Sequence, residues 1–218
     1  VKILAATANL GNFEAPSDSF VPQTVPNVDL HAFTDDNFPP IADMGPRAQY
    51  RICKTFTWQM VPDYDFYIWF DGSCAMDNPD SVKWYLEQLG EHDIAMFKHP
   101  WRKTIREEND YIEYRMNHDD NYLIDRYGNG LHKEQMAEID ADDYTDDVLY
   151  ATTSFVYRNT PKVQEALKLV WYHISRYYTC DQLGWTYALW KAGLDIKVIP
   201  NNVFKMPYLT YLRAPYQK

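Results

Sequence analysis

The chain predicts an α/β layer fold in one domain. Three observations carry this. Strand-like apolar runs alternate with segments of helical periodicity, the signature of a layered α/β architecture. The 218 residues suit one large domain with a well-buried core, and no Pro/Gly/Ser-rich linker divides them. Hydrophobic residues make up 46 % and aromatics 16 %, with 18 tyrosines, which excludes a disordered chain.

The first strand is KILAATAN, Lys2 to Asn9, closed by Gly11, and a proline-rich loop leads to a second at Val28 to Thr34. Pro46 sits where a helix begins, and that helix runs to about Met60 before Pro62 ends it. Arg47, Arg51 and Lys54 lie on it at i, i+4 and i+7, so they share one face. A solvated face is the ordinary reading of such a stripe. Tyr67 to Phe70 form a run of apolar and aromatic residues that fits a strand covered on both sides, ended by Gly72 and Ser73.

A helix follows from about Pro79 to Leu89, with Asp77 as a structural residue just before it. Asp93 to His99 reads as the next strand, and its exit is basic: Lys98, His99, Arg102, Lys103 and Arg106. Thr104 and Glu107 have capping-box spacing for a helix starting there. Glu138 to Asp147 hold six acidic side chains without a calcium-loop pattern, and read as a solvated loop. Val148 to Arg158 is a core strand, followed by helices at Pro161 to Tyr177 and Asp181 to Ala192, the second ended by Gly193. IKVIP and VFKM in the tail read as short strands.

The net charge of −10 argues against nucleic-acid binding, which needs a basic surface. An anionic ligand would then require a local basic pocket or a metal. Cys53, Cys74 and Cys180 form no CxxC or zinc spacing and leave an odd count, which favours a reducing compartment. No apolar run approaches the roughly 20 residues of a membrane span, and no signal peptide is present, so a soluble cytoplasmic protein is expected. A start at Val1 is consistent with excision from a longer polypeptide. There is no Walker loop, GxGxxG, G-x-S-x-G or HExxH motif.

Asp71 is the informative carboxylate, because the C-terminal edges of parallel strands are where α/β sheets bind ligands. There it can hold a divalent cation against a diphosphate, since hard cations prefer oxygen ligands. The alternative is an Asp-Gly turn that only reverses the chain.

Several segments in order sharpen this. R-x-x-K at Arg51 and Lys54, P-x-Y-D at Pro62 to Asp65 and I-W-F-D-G at Ile68 to Gly72 resemble the nucleotide-sugar half of GT-A glycosyltransferases, especially a plant and bacterial group with an R-x-x-K, Y-D, W-x-D-G series. KHPWRKTIREE, Lys98 to Glu108, is similar to that group's His, Arg and Glu-Glu stretch, and CDQLGWTYAL, Cys180 to Leu189, to its D-Q segment. A short chain of this kind also resembles the small GT-A domains of chlorella viruses, which decorate capsid glycans.

The resemblance implies a single GT-A (Rossmann-like) domain over residues 1–218, a mixed, mostly parallel sheet flanked by helices, that moves a hexose or deoxyhexose, glucose or rhamnose foremost, from a UDP-sugar to a hydroxyl of a glycan or glycoprotein. It implies retention of configuration, assistance by Mn²⁺ or Mg²⁺ and, for a viral protein, the cytoplasm of an infected cell. The implied nucleotide-sugar residues are Thr7, Asn9, Arg47, Arg51, Lys54, Asp71, Gly72, Ser73, His99 and Arg102, with Asp71 and Ser73 at the metal. Ser73 departs from the Asp-x-Asp pattern of GT-A enzymes, so metal binding would rest on Asp71 with help from phosphates, water or a distant side chain, Asp77 being the candidate. Asp181 is the implied catalytic carboxylate, with helix N-capping as its other reading. Two rival classes remain: a carbohydrate-binding module using the aromatic residues, and a metal-dependent phosphohydrolase using Asp71.

Overall fold

A computed structural model describes residues 1–14 and 19–213, so part of the proline-rich loop lies outside the described residues. The main elements in chain order are β1 (Ile3–Asn9), β2 (Val28–Thr34), α1 (Pro46–Met60), β3 (Phe66–Phe70), β4 (Cys74–Ala75), α2 (Ser81–Leu89) and β5 (Ile94–Lys98). Then come α3 (Ile105–Met116), α4 (Asn121–Tyr127), α5 (Leu131–Ala141), β6 (Tyr150–Arg158), α6 (Pro161–Tyr177), α7 (Asp181–Lys191), β7 (Ile196–Ile199) and β8 (Thr210–Tyr211).

Six strands form a sheet in the order β2-β1-β3-β6-β5-β7. β1 is parallel to β2 and β3, and β5 to β7, while β6 runs antiparallel to both β3 and β5. Only β6 therefore opposes the common direction, and the sheet is mixed and mostly parallel as predicted. The chain steps outward from β1 to β2, then returns through α1 to β3 on the other side of β1. Connections leaving adjacent strands in opposite directions open a crevice at their C-terminal ends. Here that crevice lies beyond Asn9 and Phe70.

The apolar runs of β1 and β3 are continuous because both faces of the sheet are covered. Leu4, Ala6, Tyr67 and Trp69 pack with Val163, Leu167 and Val170 of α6 and Trp185 of α7. Ile3, Ala5, Ile68 and Phe70 face the other way, toward Val82, Tyr85 and Leu89 of α2 and Val203 and Leu209 of the tail. Each such large apolar side chain contributes about 1.5–3 kcal/mol by burial. A third cluster joins α3, α4 and α5 to α7 through Ile105, Ile112, Tyr127, Met136, Ile139, Leu183 and Tyr187.

Three expectations are corrected. α2 begins at Ser81 and not Pro79, because the Asn78 carbonyl accepts from the Ser81 amide at 3.1 Å and its hydroxyl at 2.8 Å in a turn preceding the helix. Asp77, by contrast, is structural, accepting from Thr210 Oγ1 at 2.9 Å. Glu138 to Asp147 is not a loop throughout. α5 continues to Ala141 because Met136 and Ile139, both buried, sit at helical spacing beneath the acids. VFKM forms no strand: Asn202 accepts from the Phe204 amide through its side chain and from the Lys205 amide through its carbonyl, which bends the backbone. The late strand is instead β8, paired antiparallel with β4. Among the described residues no helix is long and apolar enough to cross a membrane.

Candidate functional site

A cleft of about 390 Å³ opens at the predicted sheet edge. Asn9, Asp71, Gly72 and Ser73 form its floor, α1 supplies one wall, and Phe204, Tyr211 and Arg213 of the tail line it as well. Gly72 is required here by close approach, since a Cβ at this position would lie 2.4 Å from the Ala8 carbonyl oxygen. β6 contributes an irregularity. Met96 pairs with Phe155 but Phe97 with Ala151, so the intervening β6 residues bulge out of the β5 ladder. Thr152 and Thr153 then line the cleft, and the Thr153 carbonyl accepts from the Asp71 amide at 2.8 Å. Ser154 turns inward, its hydroxyl 2.6 Å from both the Trp69 carbonyl and the Tyr85 hydroxyl.

The basic face of α1 is not solvated. Arg51 and Lys54 are 3 % and 2 % exposed, and they join two carboxylates into an alternating chain of charge. Lys54 Nζ lies 3.3 Å from Asp71 Oδ1 and 3.5 Å from Asp181 Oδ2, and Arg51 Nη2 lies 2.5 Å from Asp181 Oδ1. Asp71 Oδ1 also accepts from Trp69 Nε1 at 2.9 Å and from the Tyr50 hydroxyl. Burial and the Asp71 charge push the Tyr50 phenol well above its usual range, so it remains a donor. Burial alone would raise the Asp181 pKa, but the Arg51 and Lys54 charges outweigh it and hold the carboxyl below its ordinary value. In return, Asp181 overcomes the desolvation of Arg51 and raises that guanidinium's pKa.

Aromatic rings and a turn complete the wall. Arg51 donates to the Thr179 carbonyl, and the guanidinium carbons of Arg47 and Arg51 lie 5.2 Å and 5.3 Å from the Tyr178 ring centroid. Tyr178 holds a left-handed backbone at φ 53°, an uncommon conformation for a bulky residue. Arg51 Nη1 is buried without a hydrogen-bond partner. The cleft lining carries five cations, Arg47, Arg51, Lys54, Arg126 and Arg213, against three carboxylates, Glu14, Asp71 and Asp181. In a chain of net charge −10, this is a local basic pocket.

Asn9, Arg47, Arg51, Lys54, Asp71, Gly72, Ser73 and Asp181 are thus brought together in the cleft. Asn9 is committed to the chain itself, exchanging hydrogen bonds of 3.0 Å with the backbone of Glu14. Asp181 is the first residue of α7 and its side chain caps nothing; the N-cap position is Cys180. Three predicted residues lie outside the cleft lining. Thr7 is buried within β1 at 5 % exposure. His99 is equally buried, its Nδ1 accepting from the Arg102 amide at 3.1 Å across the turn after β5. Arg102 pairs with Glu108 and covers the Tyr111 ring at 4.1 Å.

Tyr50, Thr152, Thr153, Phe204 and Arg213 were not anticipated, while Gln182 belongs to the D-Q segment of the resemblance without having been given a role. Of the five, Tyr50 had a sequence signal, since it stands three residues after Arg47 and four before Lys54 on the same helix face. Among the described residues no three His, Cys, Asp or Glu side chains converge as a metal site. Asp71 offers one carboxylate whose Oδ1 already takes three donors, and Ser73 adds a hydroxyl.

No curated protein matches the chain. Among solved structures it is similar to the apo bifunctional glycosyltransferase WbbM, at 14 % identity and a TM-score of 0.44 over 80 % of this chain. It spans only 29 % of the WbbM chain. It is also similar to CMP:2-keto-3-deoxy-manno-octonic acid synthetase complexed with CTP, at 11 % identity and a TM-score of 0.42, over 92 % of this chain and 90 % of that one. Residues 40–209 match the family described as the TOD1/MUCI70 glycosyltransferase-like domain. That span is well over half of the sequence and contains β3, α1 and α7 with their cleft residues, and the chain belongs to this glycosyltransferase-like family.

Proposed function

We propose that the domain transfers a sugar from a UDP-sugar to a glycan hydroxyl, with the donor diphosphate seated between α1 and the Asp71 turn. The observation that carries this is the convergence of Arg47, Arg51 and Lys54 beside Asp71 in a basic cleft of an acidic chain. A diphosphate leaving group needs its developing negative charge stabilised, and preorganised cations in a partly desolvated cleft do that well.

In the proposed reaction the bond between the anomeric carbon and the diphosphate oxygen breaks, and its electron pair stays with the diphosphate. The acceptor oxygen bonds to the anomeric carbon, and its proton passes to the departing diphosphate oxygen. Departure and attack on one face retain configuration. Asp181, with its depressed pKa, is a weak proton acceptor. Its proposed role is positioning: it holds Arg51 and Lys54 in place. The preference for glucose or rhamnose and for a glycan or glycoprotein acceptor follows the resemblance to the viral GT-A domains.

Thermal unfolding with UDP, GDP and CMP tests the reading, because a ligand of the native state raises its melting temperature. UDP should give the largest rise, and Arg51→Met should reduce it. No shift with any of the three nucleotides would refute nucleotide-sugar binding and favour a carbohydrate-binding module. Hydrolysis of UDP with phosphate release and no transfer would instead favour a phosphohydrolase.

A further inference from the structure

We infer that this cleft neutralises its diphosphate with protein cations, and that donor binding needs no divalent metal. The inference rests on the nucleotide-sugar reading and departs from the Mn²⁺ or Mg²⁺ that the resemblance implies. Its ground is the donor set at Asp71. Mn²⁺ and Mg²⁺ favour octahedral oxygen coordination, and sites that hold them on phosphates commonly use one or two carboxylates. Here the second carboxylate position is Ser73, and among the described residues no cluster of His, Cys, Asp or Glu supplies a substitute.

The remaining carboxylate is already compensated. Asp71 Oδ1 accepts from Tyr50 and Trp69, and the Lys54 ammonium stands 3.3 Å from the same oxygen. A divalent ion on Oδ2 would share its only protein carboxylate with that ammonium and be repelled by it. Asp181 cannot relieve this, because both Arg51 and Lys54 are paired with it, and Glu14 is held by Arg213.

The charge needed by a diphosphate is instead present in the side chains. Arg51 and, one helical turn further on, Lys54 both line the cleft. Arg47 adds a third cation on the same helix face, and Arg126 and Arg213 also line the cleft. A guanidinium offers paired donors in a fixed plane that match phosphate oxygens.

Calorimetric titration of UDP into the protein, once in EDTA and once in Mn²⁺, decides the matter. The expected dissociation constants differ by less than about tenfold, and Arg51→Met and Lys54→Met each weaken binding in EDTA by about tenfold or more, the loss of one charge-assisted hydrogen bond. Circular dichroism checks that these variants fold; if either does not, Arg47→Ala, less buried on the same face, takes its place with the same expectation. Binding only in Mn²⁺, or tighter there by tenfold or more, overturns the inference while leaving the nucleotide reading standing. No binding of UDP under either condition overturns both.

Discussion

Replacing Asp181 with Asn isolates the charge chain that organises the cleft. The amide keeps the shape of the side chain but removes the charge between Arg51, 3 % exposed, and Lys54, 2 % exposed. Breaking a buried pair by removing one partner costs about 3–5 kcal/mol, because the surviving charge is left desolvated. Two contacts survive, the Thr179 carbonyl on Arg51 and Asp71 on Lys54, so the expected loss is at the low end, about 3 kcal/mol. For a chain of this length that corresponds to a fall in Tm of roughly 6–12 °C. Thermal unfolding by circular dichroism and urea titration measure both quantities. The double variant Asp181→Asn/Arg51→Met should lose less than the two single losses added, since it leaves no unpaired guanidinium. Acid titration supplies a second reading. Because the Asp181 carboxyl is depressed in the folded state, its contribution is complete above the ordinary carboxylate value near about 4 and is lost as pH falls through the lower folded value. Wild type should therefore lose stability below pH of about 4 more steeply than Asp181→Asn. A loss under about 1 kcal/mol, or strict additivity in the double variant, would mean that the pair behaves as an exposed salt bridge and that the cleft is not organised by it.

Three further outcomes follow from the packing around the floor. Gly72→Ala would place a methyl 2.4 Å from the Ala8 carbonyl oxygen, so β1 and β3 must separate or the Asp71 turn must move; the expected loss is about 1–3 kcal/mol in urea unfolding, with a reduced UDP-induced shift. Ser154→Ala removes the hydroxyl that meets the Trp69 carbonyl and the Tyr85 phenol, leaving the phenol buried without that partner. The urea midpoint should fall by the equivalent of about 1–3 kcal/mol at unchanged slope, and an unchanged midpoint would show that the group finds water. Cys53, Cys74 and Cys180 are buried, and burial pushes the Cys53 thiol up to about 12, so a disulfide-exchange reagent should label none in the native protein and all three in guanidinium.

The elements that local chemistry determines were legible in the chain. β2 and α6 have the predicted limits, and α1 begins at Pro46, because proline starts of helices are visible residue by residue. The shared face of Arg47, Arg51 and Lys54 was legible too, but its burial was not. That depends on Asp71 and Asp181, which reach α1 only through the sheet and α7. The basic stretch after β5 goes the other way: Arg102 pairs with Glu108 and His99 holds a turn, and neither lines the cleft. Asp181 had the composition of an N-cap, yet it lies one position inside the helix, where its carboxylate turns to Arg51. Phe204 and Arg213 carry no local signal, since they join the cleft only when the tail folds back beside β4.

That return of the tail sets an order on assembly. β4 directly follows the Asp71 turn, yet its partner β8 is among the last described parts of the chain to be made. A nascent chain can form β1, β2 and β3 and present Asp71 early, but the Phe204, Tyr211 and Arg213 side of the cleft does not exist until synthesis reaches them. Long-range pairings of this kind close late because the loop entropy must be overcome first. The cleft is therefore complete only once the chain has been made through Arg213, and a chain that stops short of Phe204 lacks that side of it.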